Sequence, residues 1–215
     1  MTEFLAGFSA LVWGYFVAIQ LMLASLAALS AFALYRDRRK ERFGRVEDML
    51  TSDLAPPVSI LVPAYNEAAG IVESIRSMAM VSYPRFEIVV ANDGSTDDTL
   101  ARLVQAFDMY PVPYPIRANI GTSPIRGVYK SRLPIPLTVV DKENGGRADA
   151  LNAAINVSGF PYILATDADV IIDGNALVQA MRLVAEDRAR TVAVGGNVRP
   201  INGCSIRHGH VVDAR

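Results

Sequence analysis

One cysteine, Cys204, is all the 215-residue chain has, so no disulfide can form within it, and a reducing compartment suits it. A marked excess of charge of either sign is also missing. Lys and Arg number 21 against 22 Asp and Glu, a net charge of -1, which leaves no basic excess for gripping nucleic-acid phosphates. No G-x-G-x-x-G follows the first apolar strand-like run, and no G-x-x-x-x-G-K-[ST] occurs, which sets aside an ordinary dinucleotide fold and a P-loop NTPase. Disorder is excluded by a composition 51% hydrophobic and 20% charged. The mean hydropathy of +0.24 is high for a soluble domain because the apolar excess is gathered at one end.

From Phe4 to Tyr35 no residue carries a charge. A helix of that length reaches roughly 48 Å at ~1.5 Å per residue, more than the ~30 Å of a hydrocarbon core. A cleaved signal peptide fits less well, since the start Met1-Thr2-Glu3 has no positive region and the run is about twice an ordinary h-region. Arg36, Arg38, Arg39, Lys40, Arg42 and Arg45 follow directly, whereas Glu3 is the charged side chain of the other flank. The positive-inside tendency therefore predicts a single-pass anchor in the cell (inner) membrane with the remainder in the cytoplasm. Small residues four apart (Ala10 and Gly14, Ala24 and Ala28, Ala27 and Ala31) suit close approach of another helix, or reflect only how common alanine is there.

This divides the chain into an anchor over 1–35, a basic linker over 36–56 ending in Pro56-Pro57, and one domain over 57–215. Apolar runs at Val58 to Val62, Phe86 to Val90, Leu137 to Val140, Tyr162 to Ala165 and Val192 to Val194 predict buried strands. Helical stripes intervene: Ile71, Val72, Ile75, Met78 and Ala79, then Leu100, Leu103, Val104 and Phe107 behind a candidate capping box of Ser95 and Asp98. A third helix is expected over Ala148 to Asn156 and a fourth carries Leu177, Ala180, Met181 and Val184. The alternation predicts an α/β, Rossmann-like, mainly parallel sheet with helices on both faces. Tyr110 to Pro136, with Pro111, Pro113, Pro115, Pro124, Pro134 and Pro136, breaks the rhythm and reads as an irregular insertion or flap.

Four loops at one predicted sheet edge hold polar residues that a core would not choose: Pro63-Ala64-Tyr65-Asn66-Glu67, Asn92-Asp93-Gly94-Ser95, Asp141 to Arg147, and Asp167-Ala168-Asp169. Asp167 and Asp169 are hard oxygen ligands directly after a strand, suited to Mg²⁺ or Mn²⁺ beside a diphosphate; acidic pairs also cap turns. The Gly145-Gly146 turn would offer backbone N–H groups to an anion, flanked by the cations Lys142 and Arg147, or is simply a helix start with surface charges. Asp93 can accept from a base or ribose, or serve the turn with Gly94. Tyr65 can stack on a base or cover the domain edge. His208 and His210, two residues apart, can touch a metal as a strand pair, although a lone H-x-H is ordinarily surface polar sequence.

Together these residues carry a resemblance. VSILVPAYNE (Val58 to Glu67), EIVVANDGSTDDT (Glu87 to Thr99), KENGGRADALNAAIN (Lys142 to Asn156), YILATDAD (Tyr162 to Asp169) and Gly195-Gly196-Asn197-Val198 resemble, in matching order, the family 2 glycosyltransferases of GT-A fold. The branch most similar is the membrane-bound processive β-glycan synthases that make poly-N-acetylglucosamine, cellulose or hyaluronan. The resemblance implies an inverting transferase using a UDP-linked sugar and a divalent metal, with a glycan or lipid-linked acceptor, to build a cell-surface polysaccharide. It implies that Pro63, Ala64, Tyr65, Glu67 and Asp93 hold uridine, that Lys142, Gly146 and Arg147 lie by the diphosphate, and that Asp167, Ala168 and Asp169 meet ribose, phosphate and metal.

Two departures stand out. Arg147 occupies the place of a lysine in the G-G-K-A-D-A-L-N of many relatives, which keeps charge and changes geometry. Inverting displacement also needs a general base for the acceptor hydroxyl, and the family's downstream acidic motif and Q-x-x-R-W do not occur before Arg215; the surroundings of Asp213 do not match. The expectation is therefore a donor half whose acceptor half or partner membrane subunit lies elsewhere. Two further readings are a catalytically inert nucleotide-sugar-binding subunit and a transferase acting on a polyprenyl phosphate.

Overall fold

The computed structural model describes residues 2–40, 52, 55–113, 120–186, 191–197, 205–207 and 210–213. It divides into two compact units, residues 1–45 and 46–215.

The first unit is one helix, α1 (Thr2–Lys40). Its Gly7–Ala33 segment is long and apolar enough to cross a membrane, and none of that stretch is buried within the protein. A helix apolar all round has no water-facing side to present, a pattern shared by core helices and membrane spans. The hydroxyl of Ser25, a polar group within the run, donates to the Met22 carbonyl at 2.7 Å, so the chain itself satisfies it. The helix continues past Tyr35 into the stretch read as linker; residues 41–51, 53 and 54 of that linker lie outside the described residues.

The second unit is built on β1 (Val58–Ala64), α2 (Ile71–Ala79), β2 (Phe86–Asp93), α3 (Thr99–Ala106), β3 (Met109–Pro111), β4 (Ile125–Ser131), β5 (Leu137–Lys142), α4 (Arg147–Val157), β6 (Tyr162–Ala165) and α5 (Ala176–Glu186). β7 (Ser205–Arg207) and β8 (His210–Asp213) pair antiparallel in a separate two-stranded sheet. The six-stranded sheet runs β3-β4-β5-β2-β1-β6. β5, β2, β1 and β6 are mutually parallel, while β4 and β3 join antiparallel at one side. The strand order reverses at β1, whose neighbours are β2 and β6, so the carboxyl ends of β1 and β6 flank the topological switch point where α/β sheets bind ligands.

Two cores hold the sheet between its helices. Ile60, Val62, Ile88, Val90 and Val139 pack with Ile71, Ile75 and Met78 of α2, Leu103 of α3 and Leu177 and Met181 of α5. On the opposite face Leu61, Val89, Ala91 and Val140 meet Ala150, Ala153, Ala154 and Val157 of α4. The strands that read as continuous apolar runs are those buried on both faces. The alanine stripe of α4 brings that helix close to the sheet, and its first turn with it.

Four sequence expectations are corrected. Tyr110 to Pro136, expected as an irregular insertion or flap, contains the end of β3 and all of β4 among its described residues, while 114–119 lie outside them; Pro111 is tolerated at the end of β3 because this is an edge strand. Val192 to Val194 forms no strand, and Val192 is fully exposed, with no strand among the described residues to cover it. Tyr162 to Ala165 is a strand but an edge one, with Ile163 46% exposed. The Ser95–Asp98 capping box does not form: α3 is capped by Asp98 without a side-chain hydrogen bond, and Ser95 Oγ instead accepts from the Asn66 N–H at 3.0 Å. Cys204 and His208 lie outside the described residues.

Candidate active site

The four loops do emerge at one edge, since each follows a strand of the parallel set. The first two are latched to one another. Asn66 sits at φ +58°, a left-handed conformation that asparagine tolerates. Its Oδ1 accepts from the Thr96 N–H at 2.8 Å and the Asp97 N–H at 3.3 Å. In return the Glu67 N–H donates to Thr99 Oγ1 at 2.9 Å and the Ala68 N–H to Asp97 Oδ2 at 3.1 Å.

The second and third loops are joined through Asp93. Its Oδ1 accepts from the Gly145 N–H at 3.0 Å and its Oδ2 from the Gly146 N–H at 2.7 Å, while Asn144 Nδ2 donates to the Asp93 carbonyl at 2.9 Å. Gly94 lets the two loops touch: at φ +66° its missing Cβ would lie 2.7 Å from the Asn144 backbone nitrogen. The expectation that the Gly145-Gly146 turn offers both N–H groups to an external anion is thereby overturned, because a buried carboxylate already takes them.

Lys142 is likewise turned inward. Its ammonium is fully buried, 2.6 Å from Asp93 Oδ1 and 2.5 Å from Asp149 Oδ2, and it donates also to the Glu143 carbonyl. Three donors meet three acceptors, so Lys142 is no free cation at the edge. Burial alone would lower its pKa, but the hydrogen bonds to Asp149 and Asp93 and the charges of both outweigh it, and the pKa stands above the ordinary lysine value. Asp149 is held below its ordinary value, first by the Lys142 hydrogen bond, against burial, and with help from the Ser123 N–H at 3.0 Å. The sequence reading missed Asp149 as a partner, although it stands in the R-A-D-A-L-N run that opens α4.

Arg147, the first residue of α4, does reach the edge. One guanidinium nitrogen lies 2.5 Å from Asp167 Oδ1, with the two side chains 65% and 52% exposed. Ala168 is buried in the core between Asp167 and Asp169, and both aspartates are exposed. Burial, then the charges of Asp169, Asp97 and Asp167, raise the pKa of Glu67, so the loops after β1 and β6 share an acidic field at the switch point. Tyr65 is 48% exposed there, Pro63 is half-buried and Ala64 is buried. Beneath them Asn92 Nδ2 donates to Asp141 Oδ1 at 2.7 Å, while the buried Asn92 Oδ1 has no hydrogen-bond partner among the described residues. An orphaned acceptor of this kind calls for a water or a ligand donor. Gly195, Gly196 and Asn197 are exposed and belong to no element; Val198 lies outside the described residues.

Among the described residues no group of three His, Cys, Asp or Glu side chains is gathered as a metal cage. Two exposed carboxylates after one strand nevertheless fit Mg²⁺ or Mn²⁺, which take one or two protein carboxylates and complete their shell with phosphate and water.

The family model described as Glycosyl transferase family 2 matches residues 59–210. The chain belongs to glycosyl transferase family 2. Its mainly parallel α/β sheet agrees with the GT-A architecture expected of that family. Over 150 residues this family 2 chain is 29% identical to the poly-beta-1,6-N-acetyl-D-glucosamine synthase of Staphylococcus epidermidis, covering 69% of this chain and 30% of that protein. Identity to the synthase of the same name from Staphylococcus aureus (strain COL) is 30%, with the same coverage. The chain thus matches about 30% of the length of these curated relatives. Among solved structures it is similar to S. aureus TarS 1-349 in complex with UDP-GlcNAc, at 25% identity and TM-score 0.47 over 67% of this chain and 37% of that one. The mannosyltransferase PcManGT from Pyrobaculum calidifontis, in complex with GDP-Man and Mn²⁺, is 26% identical with TM-score 0.46 over 74% and 43%.

Proposed function

We propose that residues 57–215 form the donor-binding part of an inverting glycosyltransferase that takes a UDP-sugar with Mg²⁺ or Mn²⁺ to extend a cell-surface polysaccharide. One observation carries the reading. The Arg147–Asp167 contact of 2.5 Å brings the cationic start of α4 against the acidic pair after β6, at the switch point of the sheet. Cation and carboxylates side by side suit a ligand that is itself a metal-bound diphosphate.

Within this reading Asp167 and Asp169 hold the divalent ion, which when bound stabilises the charge of the departing diphosphate. Arg147 supplies a guanidinium to the phosphate oxygens, and Ala168, packed in the core, fixes the direction of both aspartates. Tyr65 covers the base, with Pro63, Ala64 and Glu67 shaping the loop around the nucleoside. Asp93, Lys142 and Gly146 serve the diphosphate side as an internal frame, since their polar groups are spent on one another. The general base that takes the acceptor's proton is assigned to no residue of this chain. The acceptor is a glycan or a lipid-linked sugar, and a further membrane subunit or chain segment would supply its site.

In the same proposal α1 anchors the enzyme in the cell membrane, single-pass, with its basic C-terminal flank and the domain in the cytoplasm. UDP and Mn²⁺ binding to the full chain in detergent micelles, followed by calorimetry, tests the donor site. Wild type should bind UDP in the presence of Mn²⁺, and Asp169→Ala should abolish it. Equal binding by that variant would overturn the metal assignment. Membranes carrying the chain, given a panel of radiolabelled UDP-sugars, would then identify the sugar.

A further inference from the structure

We propose that Arg147 is the counter-cation of the donor site: its guanidinium neutralises Asp167 until the divalent ion arrives, then passes to the diphosphate, so that ion and nucleotide bind with positive coupling. The inference rests on the donor-site reading above.

The geometry supplies the exchange. Arg147 lies 2.5 Å from Asp167 Oδ1, and a divalent ion at that oxygen would have to displace it. Both side chains are more than half exposed, and an ion pair in water is weak enough to open without rearranging the fold. The other cation of the same loop cannot take its place, because Lys142 is fully buried and held by Asp93, Asp149 and the Glu143 carbonyl.

The position of Arg147 sharpens the argument. It is the first residue of α4, where the helix dipole is positive and a cation is disfavoured unless an anion lies beside it. The turn's own N–H groups at Gly145 and Gly146 are already given to Asp93, so the full positive charge this helix end offers to an incoming anion is the Arg147 side chain. A free guanidinium there is unfavourable, and so is an unneutralised Asp167 within the field that reaches Glu67. The ion alone must displace Arg147 and leave it unpaired; the nucleotide alone must draw it off Asp167. When both bind, each relieves the cost the other creates, which is the meaning of positive coupling between two ligands.

The test is Mn²⁺ binding read by the electron paramagnetic resonance signal of the free ion, with and without UDP, on the full chain in micelles. Arg147→Met removes the charge while keeping an apolar stem. It should tighten Mn²⁺ binding in the absence of UDP by about 2–5-fold, the range expected of an exposed ion pair. The same variant should weaken UDP binding at saturating Mn²⁺ by roughly 10-fold, one charge-assisted contact. The gain in Mn²⁺ affinity caused by UDP should shrink in the variant, and Arg147→Lys should fall between it and wild type. Unchanged or weaker Mn²⁺ binding by Arg147→Met, with wild type binding both ligands, overturns the counter-cation role and leaves the donor site standing. Failure of wild type to bind either ligand overturns the donor reading and this inference with it. An unaltered circular dichroism melt separates these results from misfolding.

Discussion

Lys142 and Asp93 form an ion pair inside the domain, Nζ to Oδ1 at 2.6 Å, with side chains 0% and 4% exposed. Breaking a buried pair from one side leaves an uncompensated charge, which costs about 3–5 kcal/mol. Lys142→Met should therefore destabilise the domain by about that much, since Asp93 and Asp149 would face one another without their shared cation. Arg76→Met provides the contrast. Its pair with Glu73 is 55% and 71% exposed, and its loss should cost less than about 1 kcal/mol. Urea titration of the two variants against wild type measures the difference.

Gly94 touches Asn144 so closely that a Cβ would lie 2.7 Å from a backbone nitrogen, at φ +66°. Left-handed backbone alone costs an alanine roughly 1–2 kcal/mol, and the overlap must move a loop rather than a flexible side chain. Gly94→Ala should lower the melting temperature and loosen UDP binding together. Gly121→Ala, at an exposed position outside any element where a Cβ meets nothing within 4 Å, should stay within about 0.5 kcal/mol of wild type.

The elements most legible in the sequence were those whose burial has a simple period. β1, β2 and β5 are covered on both faces and so read as apolar runs, and α2 and α3 show a stripe because one side meets the sheet. β4 escaped notice because Ile125–Ser131 is only partly buried and interrupted by Arg126, Gly127 and Lys130. The loops at the sheet edge were legible as polar punctuation after apolar strands. What their side chains do was not. A lysine that ends a strand looks the same whether it faces solvent or an aspartate, and here the decisive partner, Asp149, belongs to another element. Ser95 likewise had a partner in Asn66, 29 residues away, that no local capping pattern contains.

Acid and alkali should act on the same ion pair in opposite ways. Asp149 has a folded-state pKa below its ordinary 3.8, so its stabilisation is present above that value and lost as pH falls through the lower folded value. Lys142 is raised above 10.5, so its contribution is present below that value and lost as pH rises through the higher folded value. The domain's stability should hold a plateau between these limits. Asp149→Asn should lower the plateau and flatten its acid limb, which a series of melts across pH measures directly.

Asn66 separates the cost of conformation from the cost of contact. At φ +58° it uses Oδ1 to accept from the Thr96 and Asp97 N–H groups, fastening the loop after β1 to the loop after β2. Asn66→Gly keeps the backbone accessible and removes the acceptor, so it should cost about 0.5–1.5 kcal/mol per bond lost, toward the low end because water can replace a partner at an exposed site. Asn66→Ala loses the acceptor and adds left-handed strain, and should be worse than the glycine variant by about 1 kcal/mol. Both variants remove the Asn66 side-chain half of this latch and leave the Asn66, Glu67 and Ala68 N–H bonds to Ser95, Thr99 and Asp97 as its remaining half. If these loops must be latched before a nucleoside can settle between them, UDP affinity should fall in the same order as stability. Calorimetry on the two variants would show a loosened site as weaker binding with a more unfavourable entropy, because the ligand then has to order loops that wild type holds in place beforehand.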